Sequence, residues 1–312
     1  MSKVIVVGSV AYDRIMDFPG LFADHFLPDK IHSINLSFQV DKISVEFGGT
    51  AGNIAYNLAL LGEQPEIISS VGADFAQYRS HLMIAGIDPH TIHEIDGELT
   101  ASAFILTDQA DNQIAAFHFG GGARAYDAQV DVEGRALAIV APGCIPDMTA
   151  MPAYFRSQGM RYLYDPGQAL SALTPEQLKD GMTGAQILFA SDYEFHLIKE
   201  KTGLDQLQLL ELVPTLVITY AGEGSHIISR DDEIKVASTV AKEVVDPTGA
   251  GDAYRAGFMK GMFWGLPLRS CGQLASCVAA YAVENYGTQT HEFTLAQLAE
   301  RYVATYGEKL PV

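Results

Sequence analysis

The densest run of residues able to do chemistry is Asp246-Pro247-Thr248-Gly249-Ala250-Gly251-Asp252-Ala253-Tyr254-Arg255-Ala256-Gly257-Phe258. Two glycines separated by an alanine open a helical pattern that carries Asp252 in its first turn. Unpaired N–H groups at a helix start, with the positive end of the helix dipole, suit an anion such as phosphate. Glycine lets that backbone approach closely. Gly249, Ala250 and Gly251 are therefore the candidate cradle. Asp252 stands where a general base would reach a hydroxyl beside the phosphate. A structural reading of the same run makes Asp252 a helix-capping carboxylate and the glycines packing residues; Ala253, Gly257 and Gly261 do form a small-residue stripe.

Other routes to nucleotide or hydrolytic chemistry are missing. The sequence holds no Gly-x-x-x-x-Gly-Lys-Ser/Thr loop. Tyr254 stands where a dinucleotide fingerprint wants its third glycine, and no Gly-x-Gly-x-x-Gly lies near the N-terminus. His-Glu-x-x-His and Gly-x-Ser-x-Gly are absent as well. Hydride transfer, zinc hydrolysis and serine hydrolysis all lose ground.

The elements that must position these residues follow from hydrophobic pattern. Short, mostly apolar and β-branched runs recur at residues 4–7, 67–71, 137–140, 162–164, 187–189 and 216–219. They do not alternate, as strands covered on both faces of a parallel sheet do not. Over 51–61, Ala51, Ile54, Ala55, Leu58 and Leu61 share one helical stripe, closed by Gly62. Strand–helix alternation predicts an α/β fold with a doubly wound, mostly parallel sheet flanked by helices. Residues 34–47 and 101–119 break the rhythm with Ile34-Asn35-Leu36-Ser37-Phe38 and Ala103-Phe104-Ile105-Leu106-Thr107, the latter folding back through a turn-rich patch at 108–112. These read as antiparallel strands of a small separate sheet, either an added edge of the main sheet or a lid over a ligand. Helices are expected over 249–265, 268–286 and 295–306. With no repeat, low-complexity tract or linker, one domain over 1–312 is expected.

Composition bounds the partners. The 312 residues are 48% hydrophobic, ample for a core, with 20 Lys+Arg against 38 Asp+Glu and a net charge of −18. So acidic a chain has no basic face to offer a nucleic acid. Cys144, Cys271 and Cys277 are too few and scattered for a disulfide scaffold or a zinc site. With no apolar run of membrane-spanning length and no signal-peptide pattern, a soluble, cytoplasmic protein is expected.

At this point the sequence resembles the ribokinase-like (PfkB) carbohydrate and nucleoside kinases. Residues 246–252 are similar to the second signature of that family, and Gly48-Gly49-Thr50-Ala51-Gly52-Asn53-Ile54-Ala55 to its first. The resemblance runs over essentially the whole chain, with the motifs in family order. Within the family it is nearest to bacterial adenosine kinases of the actinobacterial type. That likeness rests on Gly8-Ser9-Val10-Ala11-Tyr12-Asp13, Phe18-Pro19-Gly20, Leu27-Pro28-Asp29-Lys30, Leu36-Ser37-Phe38, residues 73–79, Asp165-Pro166-Gly167-Gln168 and Gly287-Thr288-Gln289.

The resemblance implies ATP-dependent phosphorylation of a hydroxyl, here the 5′-hydroxyl of adenosine, with Asp252 as base. A sugar kinase, a broader nucleoside kinase for inosine, guanosine or cytidine, and a silent nucleoside-binding protein are the alternatives. It also implies a β-sheet lid, with strands inserted at about 14–47 and 98–122, and allows two chains to pair through it. Ser9, Asp13, Ser37, Gly49 and Asn53 match the nucleoside-binding positions, Asp13 as acceptor for the sugar hydroxyls. Phe104 and Phe117 match adenine-stacking positions, and a purine between two phenyl rings is well suited to offset stacking; packing within the lid is the structural reading, and a one-residue change of strand register would turn both rings to the other face. Gln168 matches a polar contact to the nucleoside. On the ATP side the match falls on Thr219, Gly222, Gly224 and Gly251, with Ala221 where a glycine is usual. Glu194 matches the residue that organises Mg²⁺ through water, with Ser191 in place of the usual Asn; a monovalent cation such as K⁺ is a further cofactor the resemblance allows. Pro247 precedes Thr248 where Thr is the usual second residue. With no basic patch to meet ATP, binding is expected to depend strongly on magnesium.

Overall fold

The computed structural model describes residues 3–26, 35–110 and 112–311. Among them, nine strands form the main sheet: β1 (Lys3–Val7), β4 (Gln64–Gly72), β5 (Ile92–Ile95), β8 (Arg135–Val140), β9 (Tyr162–Tyr164), β10 (Ile187–Ser191), β11 (Leu216–Thr219), β12 (Ser225–Ile228) and β13 (Glu233–Val236). Four more form a small sheet: β2 (Ala11–Asp17), β3 (Lys42–Gly48), β6 (Ala101–Thr107) and β7 (Gln113–His118). The main order is β13-β12-β11-β10-β9-β8-β1-β4-β5. It is parallel from β5 to β11 and antiparallel at the β11–β12 and β12–β13 pairs. All six expected apolar runs lie in its parallel part.

Unbroken apolarity reflects burial on both faces. Along β1, Val4 and Val6 enter one core while Ile5 and Val7 enter the other, and none is more than 1% exposed. Each such side chain contributes roughly 1.5–3 kcal/mol of burial free energy. The first core is shared with α1 (Thr50–Leu60), α2 (Ala76–Ile84), α7 (Ala250–Phe263), α8 (Leu268–Val283) and α9 (Leu295–Tyr306). The second is shared with α3 (Ile145–Ser157), α4 (Pro175–Met182), α5 (Asp192–Thr202) and α6 (Gln206–Leu212). The three expected C-terminal helices are α7, α8 and α9.

The small sheet runs β3-β2-β6-β7, with β2–β6 parallel and its other pairs antiparallel. The expected hairpin over 101–119 is β6–β7, whose turn is organised by the Asp108 carboxylate accepting from Ala110 N, Asn112 N and Phe22 N. The strand expected from residue 34 needs correction. Residues 35–40 take no regular structure and pairing with β2 starts only at Lys42. Phe38 turns instead into an aromatic cluster with Phe18 and Phe22, with ring centroids 4.8 and 5.4 Å apart. The sequence run 27–30 lies outside the described residues.

Helix α7 is set by its small-residue stripe. A Cβ on Gly257 would come within 2.7 Å of Ala275 Cα, and one on Gly261 within 2.8 Å of Cys271 Cα, so α7 and α8 pack backbone to backbone. Replacing Gly257 by alanine should therefore overpack this contact and cost about 1–3 kcal/mol in urea unfolding. An unchanged midpoint would show that the helices do not need this closeness.

Candidate active site

A cavity of about 930 Å³ opens at the C-terminal ends of the parallel strands, where α/β sheets place ligands. Asp165 follows β9, Ser191 ends β10, Thr219 ends β11, and the starts of α1 and α7 point in from the other side. These two helix starts differ. At α1 the donors are already used: Ser9 Oγ accepts Thr50 N at 3.0 Å and Ser9 O accepts Ala51 N at 2.9 Å. Gly49 reaches this arrangement with φ +86°, and a side chain there would strike the backbone of Ser9, Val10 and Ala11. At α7 the donors are open. Gly249 turns the chain at φ +77°, and the N–H groups of Gly249, Gly251 and Asp252 have no partner among the described residues. That is the arrangement an anion completes.

Asp252 sits in the first turn of α7 and is joined to α1 by Asn53, whose Nδ2 donates to Asp252 Oδ2 at 2.8 Å. Asp252 lines the cavity, and its Oδ1 has no partner among the described residues. The solvent-facing reading of Asn53 fails: the residue is buried, and its Oδ1 accepts Gln289 Nε2 at 3.0 Å and lies 2.7 Å from the Thr288 hydroxyl. Gln289 in turn donates to Tyr78 Oη and accepts from His81 Nε2. The amide that meets Asp252 is thus oriented from behind by buried side chains. Burial pushes the Asp252 carboxyl up to about 7; Asn53 and Arg255 oppose this rise, whereas Asp165 and Glu194 add to it.

Asp13 follows β1 and stands on β2, in the small sheet, opposite Glu46 and Ala103. Its carboxyl is raised to about 6 by burial, then by Asp246 and Glu46. Gly48 makes room for it, since a Cβ there would lie 2.6 Å from Asp13 Oδ2. Strand alternation separates the two expected rings. Register pairs Phe117 with Ala103 and Phe104 with Ala116, so the phenyl groups leave opposite faces. Phe117 lines the cavity; Phe104 lies on the far face, with the Arg14 guanidinium 5.9 Å from its ring centroid. The expected sandwich of two rings does not form.

Ser9, Asp13, Gly49, Asn53, Phe117, Gln168, Glu194, Thr219, Gly222, Gly249, Ala250, Gly251 and Asp252 all line the one cavity. Ser37 does not; it is exposed in the irregular segment before β3. Nor does Gly224, whose place at φ +105° lets the turn lie against Val236 O and Ser238 N. Ala221 is the one non-glycine with positive φ among the described residues, at +46°, which explains why glycine suits that position. The cavity also has apolar lining residues that no motif marks in the sequence: Val240, Val244, Ala279 and Val283. Thr288 and Gln289 were legible as a motif but not as the support of Asn53.

Ser191, which stands where Asn is usual, caps α5. Its Oγ accepts Glu194 N and Glu194 Oε2 accepts Ser191 N at 2.7 Å, a reciprocal cap that fixes the glutamate on α5. Glu194 lines the cavity and its Oε1 has no partner among the described residues, which fits a carboxylate acting on magnesium through water. Among the described residues no cluster of three or more His, Cys, Asp or Glu could hold a metal by itself.

Comparison with known proteins agrees with this geometry. Residues 1–294 match the model of the pfkB family of carbohydrate kinases. The chain is 34% identical to a nucleoside kinase of Methanothermobacter thermautotrophicus, over 99% of this chain and 98% of that one. It is 33% identical to a Burkholderia thailandensis nucleoside kinase solved in complex with inosine, with a TM-score of 0.84 over 98% of this chain and 99% of that one. A Methanocaldococcus jannaschii nucleoside kinase superimposes with a TM-score of 0.88 at 29% identity, over 97% of this chain and 99% of that one. These relatives are nucleoside kinases of archaea and Burkholderia rather than actinobacterial adenosine kinases, so the family expectation stands and the narrower one is not carried by them. The shared sheet, the open helix start and Asp252 agree with what the match shows: the chain belongs to the pfkB family and is a kinase that phosphorylates a hydroxyl group.

Proposed function

We propose that this protein transfers the γ-phosphoryl group of ATP to the 5′-hydroxyl of a purine nucleoside, adenosine among them. The observation that carries the reading is Asp252 Oδ1, without a partner among the described residues, beside the open amides of α7 in a cavity that Asp13 also lines, its carboxylate held by Asn53 through the other oxygen. Ribose hydroxyls would meet the Asp13 carboxylate, which can accept two hydrogen bonds. The base would lie on Phe117, with Gln168 at its edge. An amide offers both a donor and an acceptor, so Gln168 suits a 6-amino and a 6-oxo purine alike. This favours a broader purine nucleoside kinase over one confined to adenosine, in keeping with the inosine bound by the Burkholderia relative.

ATP would place its base on Val240, Val244, Ala279 and Val283 and its phosphates towards residues 249–251. Magnesium, held by the phosphates and through water by Glu194, would neutralise charge on the β- and γ-phosphates. Asp252 takes the 5′-hydroxyl proton as the new O–P bond forms and the bond to the bridging oxygen breaks. The amides of Gly249 and Gly251 receive charge on the transferring oxygens. The small sheet would exclude the water that otherwise accepts the phosphoryl group.

In a coupled assay with Mg·ATP, adenosine and inosine should exceed ribose and fructose in kcat/KM by about a hundredfold or more, as a site that holds both sugar and base requires; a free sugar that outperforms both would overturn the reading. Asp252→Asn should lower kcat by roughly 10²–10⁴ while leaving adenosine affinity within about threefold. It should also change stability with a definite sign. The folded carboxyl binds its proton more tightly than the unfolded one, so ionising Asp252 costs stability as pH rises from about 4 through about 7. The asparagine variant should therefore be the more stable protein at pH 8, with the gain gone near pH 4; an equal midpoint in urea at pH 8 would contradict this. Finally, kcat/KM should rise with pH around 7. Asn53→Ala removes a hydrogen bond to the ionised form and should move that limb to higher pH, whereas an unmoved limb would detach Asn53 from the base.

A further inference from the structure

Arg255 is the one basic side chain among the described residues that line the cavity, against Asp13, Asp165, Asp192, Glu194 and Asp252. It lies three residues after Asp252, on the same face of α7. Its guanidinium is buried and gripped on one edge: Nε donates to Asp165 Oδ2 at 2.6 Å and Nη2 to Asp165 Oδ1 at 3.3 Å. Phe189 lies under it, 5.5 Å from ring centroid to Cζ. Such a two-point grip fixes the plane of the fork. The third nitrogen, Nη1, makes no hydrogen bond among the described residues. It lies against the phosphate cradle, since a Cβ on Gly251 would come within 2.7 Å of it. Because Asp165 pins the guanidinium, it could not simply swing away from such a methyl group. Gly251 thus leaves its place free for a cation as well as for a phosphate.

Resting on the kinase reading above, we propose that Arg255 is a catalytic residue: Nη1 donates to an equatorial oxygen of the γ-phosphoryl group during transfer, and Asp165 is the positioning residue that aims it. Buried ion pairs serve stability poorly by themselves, because both charges lose water. A pair that leaves one donor directed at a polyanion site has a use that burial alone lacks. In the transfer step O5′ attacks phosphorus, the 5′ proton passes to Asp252 and the bridging oxygen leaves with ADP. The charge that the equatorial oxygens carry through this step meets the amides of the cradle on one side and Arg255 on the other. The arrangement also gives an acidic cavity its own fixed positive charge at the point of transfer.

The test compares affinities for Mg·ADP and for a magnesium-bound, non-hydrolysable ATP analogue by calorimetry, in the whole protein and in Arg255→Gln, together with kcat for adenosine. The expected result is a loss of about tenfold or more in analogue affinity with ADP affinity held within about threefold, and a fall in kcat of about 10²–10³. Should Asp165, left without its partner, prevent folding, the double variant Arg255→Gln with Asp165→Asn removes both charges and gives the same comparison. Analogue and ADP weakened alike, or neither changed, with kcat unchanged or reduced only as far as the protein unfolds, would overturn the proposal. The nucleotide comparison needs no acceptor. A protein that turned over no nucleoside would sink the function proposed above, while Arg255 would still be judged by its preference for the third phosphate.

Discussion

One hydrogen bond holds the two halves of the site together: Asn53 Nδ2 to Asp252 Oδ2, 2.8 Å long and spanning 199 positions of sequence. It joins the first turns of two helices that arrive from opposite ends of the chain. Neither helix can be placed freely. The α1 start is held by Ser9, which consumes its unpaired donors, and by the contact of Gly49 with the chain after β1. The α7 start is held by backbone contact with α8 at Gly257 and Gly261. The bond can form only if both placements are met. Gln289 and Thr288 then fix which face of the Asn53 amide meets the carboxylate.

The same constraint decides the electrostatics. A carboxyl buried among Asp165 and Glu194 would ordinarily hold its proton, and the opposing pull of Asn53 and Arg255 keeps it near neutrality. That suits a group which must accept a proton and then release it. The net charge of −18 is no obstacle to a polyanionic substrate, because the relevant positive potential is local. Open amides at the start of α7 supply part of it, and Arg255 stands beside them. The two helix starts differ in this respect: the first-turn donors of Thr50 and Ala51 in α1 are taken by Ser9, whereas those at α7 are open among the described residues.

Much of this was legible in the sequence. Short, mostly apolar runs marked the buried strands, and the run from Gly249 to Asp252 marked the site, because both signals are local. What stayed hidden depended on partners distant in sequence. Asn53 gave no sign that Gln289 would hold it, and Arg255 looked like any helical arginine until Asp165 came to face it. The opposite facing of Phe104 and Phe117 followed from a register that the pattern of residues 101–119 cannot reveal, since both faces of that hairpin carry apolar groups. Residues 35–40 alternate as a strand would, yet Phe38 packs with Phe18 and Phe22 instead. Local propensity lost there to an aromatic contact. Ala221 and Ser191, which departed from the family pattern, found physical answers: a left-handed backbone in one case and a helix cap in the other.

The central claim is that Asp252, held by Asn53, receives the proton of the acceptor hydroxyl while the phosphoryl group lies on the start of α7. A crystal structure of the protein with adenosine, Mg·ADP and aluminium fluoride tests it most directly. The account predicts the 5′-oxygen within hydrogen-bond distance of Asp252 Oδ1, with the fluoride on the amides of Gly249 and Gly251. A 5′-oxygen directed away from Asp252, or a fluoride bound elsewhere with those amides left open, would contradict it.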